Sequence, residues 1–330
     1  MKKIEKYLHS ISDEIHEDTD AIKEILKRKL LIQKEEVKID IELEYKAEEY
    51  KALTGIISTD NFEEDEFKRE SVDVGLYNIP GVKSIALINK VKEVCALIGY
   101  SRIQPTHGMS KKDDERFVSI KEDKTDFYPA VASKGEGIFI EFDKENLDKF
   151  FNSNEVYIER SRILEEKYNS SFYGQNNPKK IDSTFLFIHT IAHILIKELS
   201  FNCGYPTASI RERLYYGEAE GENMCGVFLY TTGGDSEGTL GGLVRQGRSD
   251  CLPSVFKRAL KAAKFCANDP VCSFSSGQGI EALNLAACHT CTLLPETCCE
   301  YSNVLLDRTV LVGNMDDTIK GFYSSWEINS

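Results

Sequence analysis

Residues 266–299 read CANDPVC, then fifteen residues, then CHTCTLLPETCC, and this segment holds six of the ten cysteines of the chain. Cys288 and Cys291 form a Cys-x-x-Cys turn, which can direct two sulfurs at one ion. A tetrahedral zinc ion needs four soft ligands at about 2.3 Å, and sulfurs upstream and downstream of the turn can complete the set. We therefore predict a structural zinc knot with four cysteine ligands near the C-terminus, in preference to a redox pair or reduced core thiols.

The spacing of these cysteines leaves the ligand set open, because six thiols compete for four positions. Cys298 and Cys299 are adjacent, so their side chains diverge in most backbone conformations and only one of them is expected to ligate. The upstream ligand is either Cys266 or Cys272. His289 lies inside the turn and is expected to point away from the metal.

Composition and charge exclude several classes of protein. The chain has 330 residues, 41% of them hydrophobic and 29% charged, as in a soluble globular protein. No apolar run approaches the roughly 20 residues of a membrane span, and the N-terminus lacks the apolar core of a secretory signal. Clustered cysteines without such a signal predict a cytoplasmic protein. The net charge of −13 disfavours a free-standing nucleic-acid-binding protein, since phosphate contacts need a basic face.

The pattern of the first 70 residues differs from that of the rest. Apolar residues at helical spacing predict two helices within residues 1–31, and strict alternation from Val37 to Tyr45 predicts a strand. The charged run Asn61–Glu70 is typical of a linker. We predict a helical and strand lobe over residues 1–70, suited to docking on a partner, and a main domain over residues 71–330.

The main domain alternates helical and strand patterns, which predicts an α+β fold of mixed helices and a small sheet. The elements expected are a helix over Ile85–Gly99, a polar loop over residues 106–127, a strand over Gly137–Asp143, a helix over Glu145–Phe151, a buried helix within Lys179–Ser200, a strand over Cys225–Thr231, and a basic helix from Pro253 into Cys266.

His189 and His193 stand four residues apart, and therefore on one face of the buried helix. Thr190 occupies the position of the glutamate in H-E-x-x-H, so a zinc peptidase is excluded. Two core histidines held by hydrogen bonds are the favoured interpretation. The alternative is a catalytic metal site that also recruits Asp235 and Glu237 from the glycine-rich loop TTGGDSEGTLGG.

Several basic residues are candidates for contact with a partner or with nucleic acid. They are Arg211 and Arg213 in the RERLY segment, Arg245 after the glycine-rich loop, and Lys257 and Lys261 on the basic helix. The loop lacks G-x-x-x-x-G-K-[ST], so no Walker ATPase is encoded. A solvated helix face and a structural loop are the commoner meanings of these patterns.

The order of six motifs resembles that of a known family. The motifs are KVKEVCALIGYSRIQP (90–105), FYPAVASKGEGIFIEF (127–142), HTIAHILIKELSFNCGYPTASIRERLY (189–215), GVFLYTTGGDSEGTLGGLV (226–244), CANDPVC (266–272) and AACHTCTLLPETCCE (286–300), followed by NVLLDR (303–308). Over residues 75–315 the chain resembles the C-terminal half of DrmB, the helicase-associated protein of the DISARM anti-phage system. It is also similar to the zinc-binding domain of MrfA-type repair helicases.

The resemblance implies a non-catalytic, zinc-binding accessory subunit of an antiviral helicase complex. The expected partners are a superfamily 2 helicase and, through the complex, single-stranded DNA, with no membrane. The family's zinc cysteines carry over onto Cys288, Cys291 and Cys299, with Cys272 as the fourth and Cys266 as its alternative. The competing hypothesis is a metal-dependent hydrolase that acts on nucleic acid through His189 and His193.

Overall fold

The computed structural model describes residues 41–57, 66–101, 117–121, 127–175, 178–219, 221–231 and 241–326. Residues 1–46 and residues 47–330 form two units. The helices predicted within residues 1–31 lie outside the described residues. A boundary at residue 70 stays a prediction, although a strand of the main sheet runs across that position.

The strand predicted for Val37–Tyr45 is wrong from Ile41 onward, where helix α1 (Ile41–Thr54) begins. Two glutamates in the first turn favour a helix start, because they complement the positive end of the helix dipole. Glu42 lies 3.7 Å from Lys46, an i,i+4 pair that supports the helix. The rest of α1 consists mainly of good helix formers, whose preference overrides the short alternating pattern.

A five-stranded antiparallel sheet organises the rest of the described chain. Its strands are β1 (Phe67–Ser71), β2 (Val82–Ala96), β5 (Ala130–Phe142), β6 (Ile210–Ala219) and β7 (Glu222–Thr231). They lie in the order β1-β2-β5-β7-β6. A separate ribbon pairs β3 (Gly99–Ser101) with β4 (Phe117–Ser119). Strand β4 lies within residues 106–127, so the polar loop predicted for that range is wrong at Phe117–Ser119.

The helix predicted over Ile85–Gly99 is wrong, because strand β2 occupies nearly all of that range. The pairing of β2 with β5 shifts register between Ile88 and Val91. A bulge of this kind adds residues to one strand and interrupts its two-residue period. The apolar side chains on either side of it are therefore three apart, which imitates helical spacing.

The other predicted helices are confirmed, and they lie around one buried helix. The helices after α1 are α2 (Lys144–Asn152), α3 (Glu155–Ser170), α4 (Ser183–Cys203), α5 (Gly242–Gln246), α6 (Leu252–Ala263) and α7 (Thr309–Val312). Asp182 caps α4 by accepting a hydrogen bond from Phe185 N, and Gly204 ends it at φ 70°. The predicted strands at Gly137–Asp143 and Cys225–Thr231 are also present. The α+β class is thus confirmed.

Helix α4 has the length and composition of a membrane span, with 21 residues from Ser183 to Cys203. However, 83% of its most apolar window is buried inside the fold. Its side chains pack against the sheet and the neighbouring helices in one hydrophobic core. This burial is compatible with a soluble protein, in which α4 is the core helix.

Candidate metal centre

Four sulfurs converge beyond the end of α6, from Cys266, Cys272, Cys288 and Cys291. The Sγ–Sγ distances are 3.4 Å between Cys266 and Cys288, 3.7 Å between Cys288 and Cys291, and 3.8 Å between Cys272 and Cys291. A tetrahedron with Zn–S arms of about 2.3 Å has edges of about 3.8 Å. The four sulfurs therefore fit a tetrahedral zinc ion. We call this group the four-cysteine cluster.

The four-cysteine cluster consists of two pairs, Cys266 with Cys272 and Cys288 with Cys291, and a local turn orients each pair towards the other. Cys266 follows the end of α6, and its N–H donates to Asp269 Oδ2 at 2.9 Å. In the second turn, Thr292 N donates to Cys288 O at 2.9 Å. The N–H of Cys288 then points at Cys291 Sγ, 3.3 Å away. Each turn is formed by its own residues, so the sequence builds the two halves of the cluster independently.

Hydrogen-bond donors surround the four sulfurs. Asn268 donates its backbone N–H to Cys266 Sγ and its side-chain amide to Cys288 Sγ, both at 3.4 Å. Gln278 Nε2 lies 3.5 Å from Cys272 Sγ, and the Thr292 hydroxyl lies 3.2 Å from Cys291 Sγ. Such donors favour the thiolate form and orient metal ligands.

Two cations stand beside the four-cysteine cluster. Lys197 on α4 donates to the carbonyls of Thr290 and Cys291, both at 3.0 Å. The hydrogen bond from the Cys272 thiol is the main cause that lowers the pKa of the Cys291 thiol, and the positive charge of the buried Arg308 adds to the shift. Four thiolates around one zinc ion carry a net charge of −2, which nearby cations stabilise.

The four-cysteine cluster contains three of the four ligands expected from the family resemblance, with Cys266 in place of Cys299. Cys299 is held elsewhere, because Glu300 next to it accepts a hydrogen bond from Leu214 N in β6 at 2.8 Å. Cys298 donates its thiol to Thr207 O at 3.2 Å. His289 is exposed and outside the cluster, as predicted for a residue in mid-turn.

A second group of buried side chains contains the two histidines. His189 and His193 lie with Glu212 of β6 and Cys299, and all four potential ligand atoms are within 4.8 Å of one another. The Glu212 side chain and both histidines are 0% exposed. Burial lowers the pKa of His193 and raises the pKa of the Cys299 thiol. We call this group the histidine cluster.

The sequence patterns did not identify Glu212 and Cys299 as neighbours of the histidines. Strand alternation was the available signal for Glu212, since the flanking Arg211 and Arg213 lie on the opposite face of β6. Asp235 and Glu237, which the hydrolase hypothesis recruits, lie outside the described residues. No substrate-sized opening reaches the histidines, which are wholly buried in the described part of the chain.

Most of the predicted contact residues are paired with acidic groups. Arg211 lies 3.3 Å from Glu93, Arg213 pairs with Glu49, and Arg245 lies 2.7 Å from Asp250. The ammonium group of Lys257 lies 5.7 Å from the centre of the Trp326 ring. Lys261 is exposed near the end of α6.

Comparison with known proteins agrees with this geometry. The family described as "MrfA Zn-binding domain" matches residues 191–292, a range that contains the whole four-cysteine cluster and ends before Cys299. The DISARM protein DrmB of Bacillus paralicheniformis is 34% identical over 288 residues, which is 86% of this chain and 50% of that protein. The chain is similar to DrmB. It spans about half of the length of DrmB.

Proposed function

We propose that this chain is a non-catalytic, zinc-binding accessory subunit of an anti-phage defence system of the DISARM type. The observation that carries the proposal is the 34% identity to DrmB over 86% of the chain. The match to the MrfA Zn-binding domain also supports it, because that family is named for zinc, the metal that the four-cysteine cluster fits. A cytoplasmic location follows from the same proposal.

The four sulfurs of the four-cysteine cluster would hold a structural zinc ion. A catalytic zinc site keeps one coordination position open, whereas four cysteine sulfurs fill a tetrahedron. Cys266 follows α6, while Cys288 and Cys291 belong to the segment that leads to α7. Zinc would therefore tie two distant parts of the chain together and supply folding free energy to a region with little regular structure.

The partner in this proposal is a superfamily 2 helicase subunit of the same defence system. For single-stranded DNA held in that complex, we favour the end of α6 as the contact surface. Lys261 and Lys264 are exposed there, and Phe265 beside them is 69% exposed. Exposed cations next to an aromatic ring suit single-stranded DNA, whose phosphates and bases they contact together. The net charge of −13 means that the helicase would supply most of the DNA contact.

The histidine cluster does not favour the competing hydrolase hypothesis. Its described members are buried, and a substrate would have to enter the core beside α4 to reach them. General acid–base or metal-assisted hydrolysis requires the reacting group within hydrogen-bond reach of its catalyst. An accessory role is the function that this geometry supports best.

The test is a phage-challenge assay in cells that carry the defence locus without this chain. Wild type and Cys95→Ser, which changes an exposed cysteine of β2, should restore protection. Cys291→Ser should not restore protection, and less of the helicase of the locus should co-purify with this variant than with wild type. Full protection by Cys291→Ser, or a wild-type chain that never co-purifies with the helicase, would contradict the proposal.

A further inference from the structure

Four potential metal ligands converge in the histidine cluster, and all four residues are buried. His189 Nε2 lies 3.2 Å from both Glu212 Oε1 and Cys299 Sγ, and His193 Nε2 lies 3.5 Å from the same Glu212 oxygen. Tetrahedral zinc with N, O and S ligands at about 2.0–2.3 Å has ligand–ligand edges of roughly 3.3–3.6 Å. The spacing thus suits one ion at the centre.

Hydrogen bonding to the backbone settles which nitrogens carry protons. His189 Nδ1 lies 3.2 Å from Leu305 O, and His193 Nδ1 lies 3.2 Å from Thr292 O. A carbonyl oxygen only accepts, so both Nδ1 atoms must donate. In the neutral rings, the lone pair of each Nε2 therefore points into the cluster, where Glu212 offers another acceptor.

This arrangement leaves the Nε2 acceptor of His193 facing the Glu212 carboxylate unless a proton or a metal ion lies between them. His193 Nε2 and Glu212 Oε2 have no hydrogen-bond partner among the described residues, although both are buried. Protonating both rings would place two positive charges on rings whose centres are 4.7 Å apart. The Cys299 thiol can donate to His189 Nε2 at 3.2 Å. His193 Nε2 still faces Glu212 Oε1 at 3.5 Å without a hydrogen bond, which is costly for a buried polar atom.

We propose that His189, His193, Glu212 and Cys299 form a second, closed binding site for a zinc-like divalent metal ion. One carboxylate and one thiolate balance the two positive charges of the ion, so the buried centre has no net charge. The surroundings orient each ligand as in known metal sites: two carbonyls hold the imidazoles, Glu300 N donates to Glu212 Oε1, and Asn303 N donates to Cys299 Sγ.

The role of this second site is structural. All four ligands come from the protein and fill a tetrahedron, so no open position is left for a substrate. The ion would join α4, strand β6 and the segment after the four-cysteine cluster at a single point. This inference concerns the fold alone and does not depend on the helicase contact proposed above.

The first experiment uses wild-type protein only. Zinc content by plasma mass spectrometry should be two ions per chain. Zinc K-edge absorption should then report a mean first shell of 2.5 sulfurs and 1.5 nitrogen or oxygen atoms, because the two clusters contain five cysteines, two histidines and one glutamate. One zinc ion with four sulfur ligands would overturn the second site. One zinc ion with a single sulfur ligand would support the second site and would contradict zinc binding by the four-cysteine cluster.

The second experiment compares two adjacent cysteines with the same substitution. Cys299→Ser removes the soft ligand and should lower zinc content from two ions to one. Cys298→Ser keeps a donor for Thr207 O and should retain both ions. His193→Asn is a further variant, since its amide can still donate to Thr292 O while the Nε2 ligand is lost. Two ions retained in Cys299→Ser and in His193→Asn would overturn the proposal.

Discussion

Arg308 and Asp269 form a buried ion pair, with side chains 1% and 8% exposed. The same guanidinium donates to Ala263 O at 2.8 Å and to Lys264 O at 3.0 Å, the last carbonyls of helix α6. Asp269 in turn accepts from Cys266 N within the first turn of the four-cysteine cluster. One arginine therefore links the end of α6 to the turn that positions Cys266 of the four-cysteine cluster.

This pair predicts a large effect for Arg308→Ala. Removing one partner of a buried pair leaves an uncompensated charge, which typically costs about 3–5 kcal/mol of unfolding free energy. Arg162→Ala is the matched control, because Arg162 pairs with Glu159 and Glu166 on the exposed face of α3, where water screens the charges and the loss of the pairs should change stability little. Urea unfolding measures the loss of unfolding free energy in each variant. Equal losses in the two variants would contradict the prediction.

The choice between Cys266 and Cys299 as a ligand of the four-cysteine cluster gives a second prediction. Cys266→Ser should lower the zinc content by one ion, because its sulfur lies 3.4 Å from Cys288 Sγ. Cys251→Ser, at the other end of α6, should keep the full content, since Cys251 belongs to neither cluster. Metal analysis of the two purified variants tests whether Cys266 is a zinc ligand. A normal zinc content in Cys266→Ser would restore Cys299 as the candidate.

Sequence spacing predicted those parts of the site that are local in the chain. Cys288 and Cys291 share one turn, and His189 and His193 share one helix face, so separations of three and four residues identify both pairs. The partner of each pair comes from another segment of the chain: Cys266 precedes Cys288 by 22 residues, and Glu212 lies on strand β6 rather than on helix α4. Spacing rules do not report which distant segment folds onto which turn.

The same distinction explains the fold-level errors. The helix α4 was predictable because its apolar residues and its cap at Asp182 lie within one continuous segment. Strand β2 was not, because the bulge after Ile88 is defined by the pairing with β5. The alternation from Val37 to Tyr45 led to a strand that is wrong from Ile41 onward, for a related reason. Over nine residues, the two-residue pattern competes with helix propensity and does not outweigh it.

The hydroxyl of Tyr77 predicts a dependence of stability on alkaline pH. It donates to Gly247 O at 2.9 Å in a buried setting, and burial raises the pKa of Tyr77 to about 12. Arg248 opposes this shift, while Glu70 and Asp250 add to it. Because the folded pKa exceeds the unfolded value of about 10, the stabilisation is complete below pH 10 and is lost as the pH rises towards 12.

Tyr77→Phe tests this sign directly. At pH 8 the variant should be less stable than wild type by about 1–2 kcal/mol, because the buried carbonyl of Gly247 loses its donor. The difference should shrink between pH 10 and pH 11, since only wild type loses stability by ionising residue 77. Urea unfolding of both proteins across this range measures the difference. A gap that stays constant with pH would contradict the assignment.

The end of α6 gives the final prediction, which concerns DNA. In the complex with the helicase, the double variant Lys261→Ala, Lys264→Ala should weaken binding to single-stranded DNA and lower its salt dependence. The slope of log K against log salt should fall by about 1.4, since each phosphate contact on a single strand contributes about 0.7. Arg245→Ala is the control, because Asp250 already balances that charge at 2.7 Å. Fluorescence anisotropy at several salt concentrations measures the slope. An unchanged slope in the lysine variant would exclude α6 as a DNA contact, whereas a lower slope in Arg245→Ala would move the contact to helix α5.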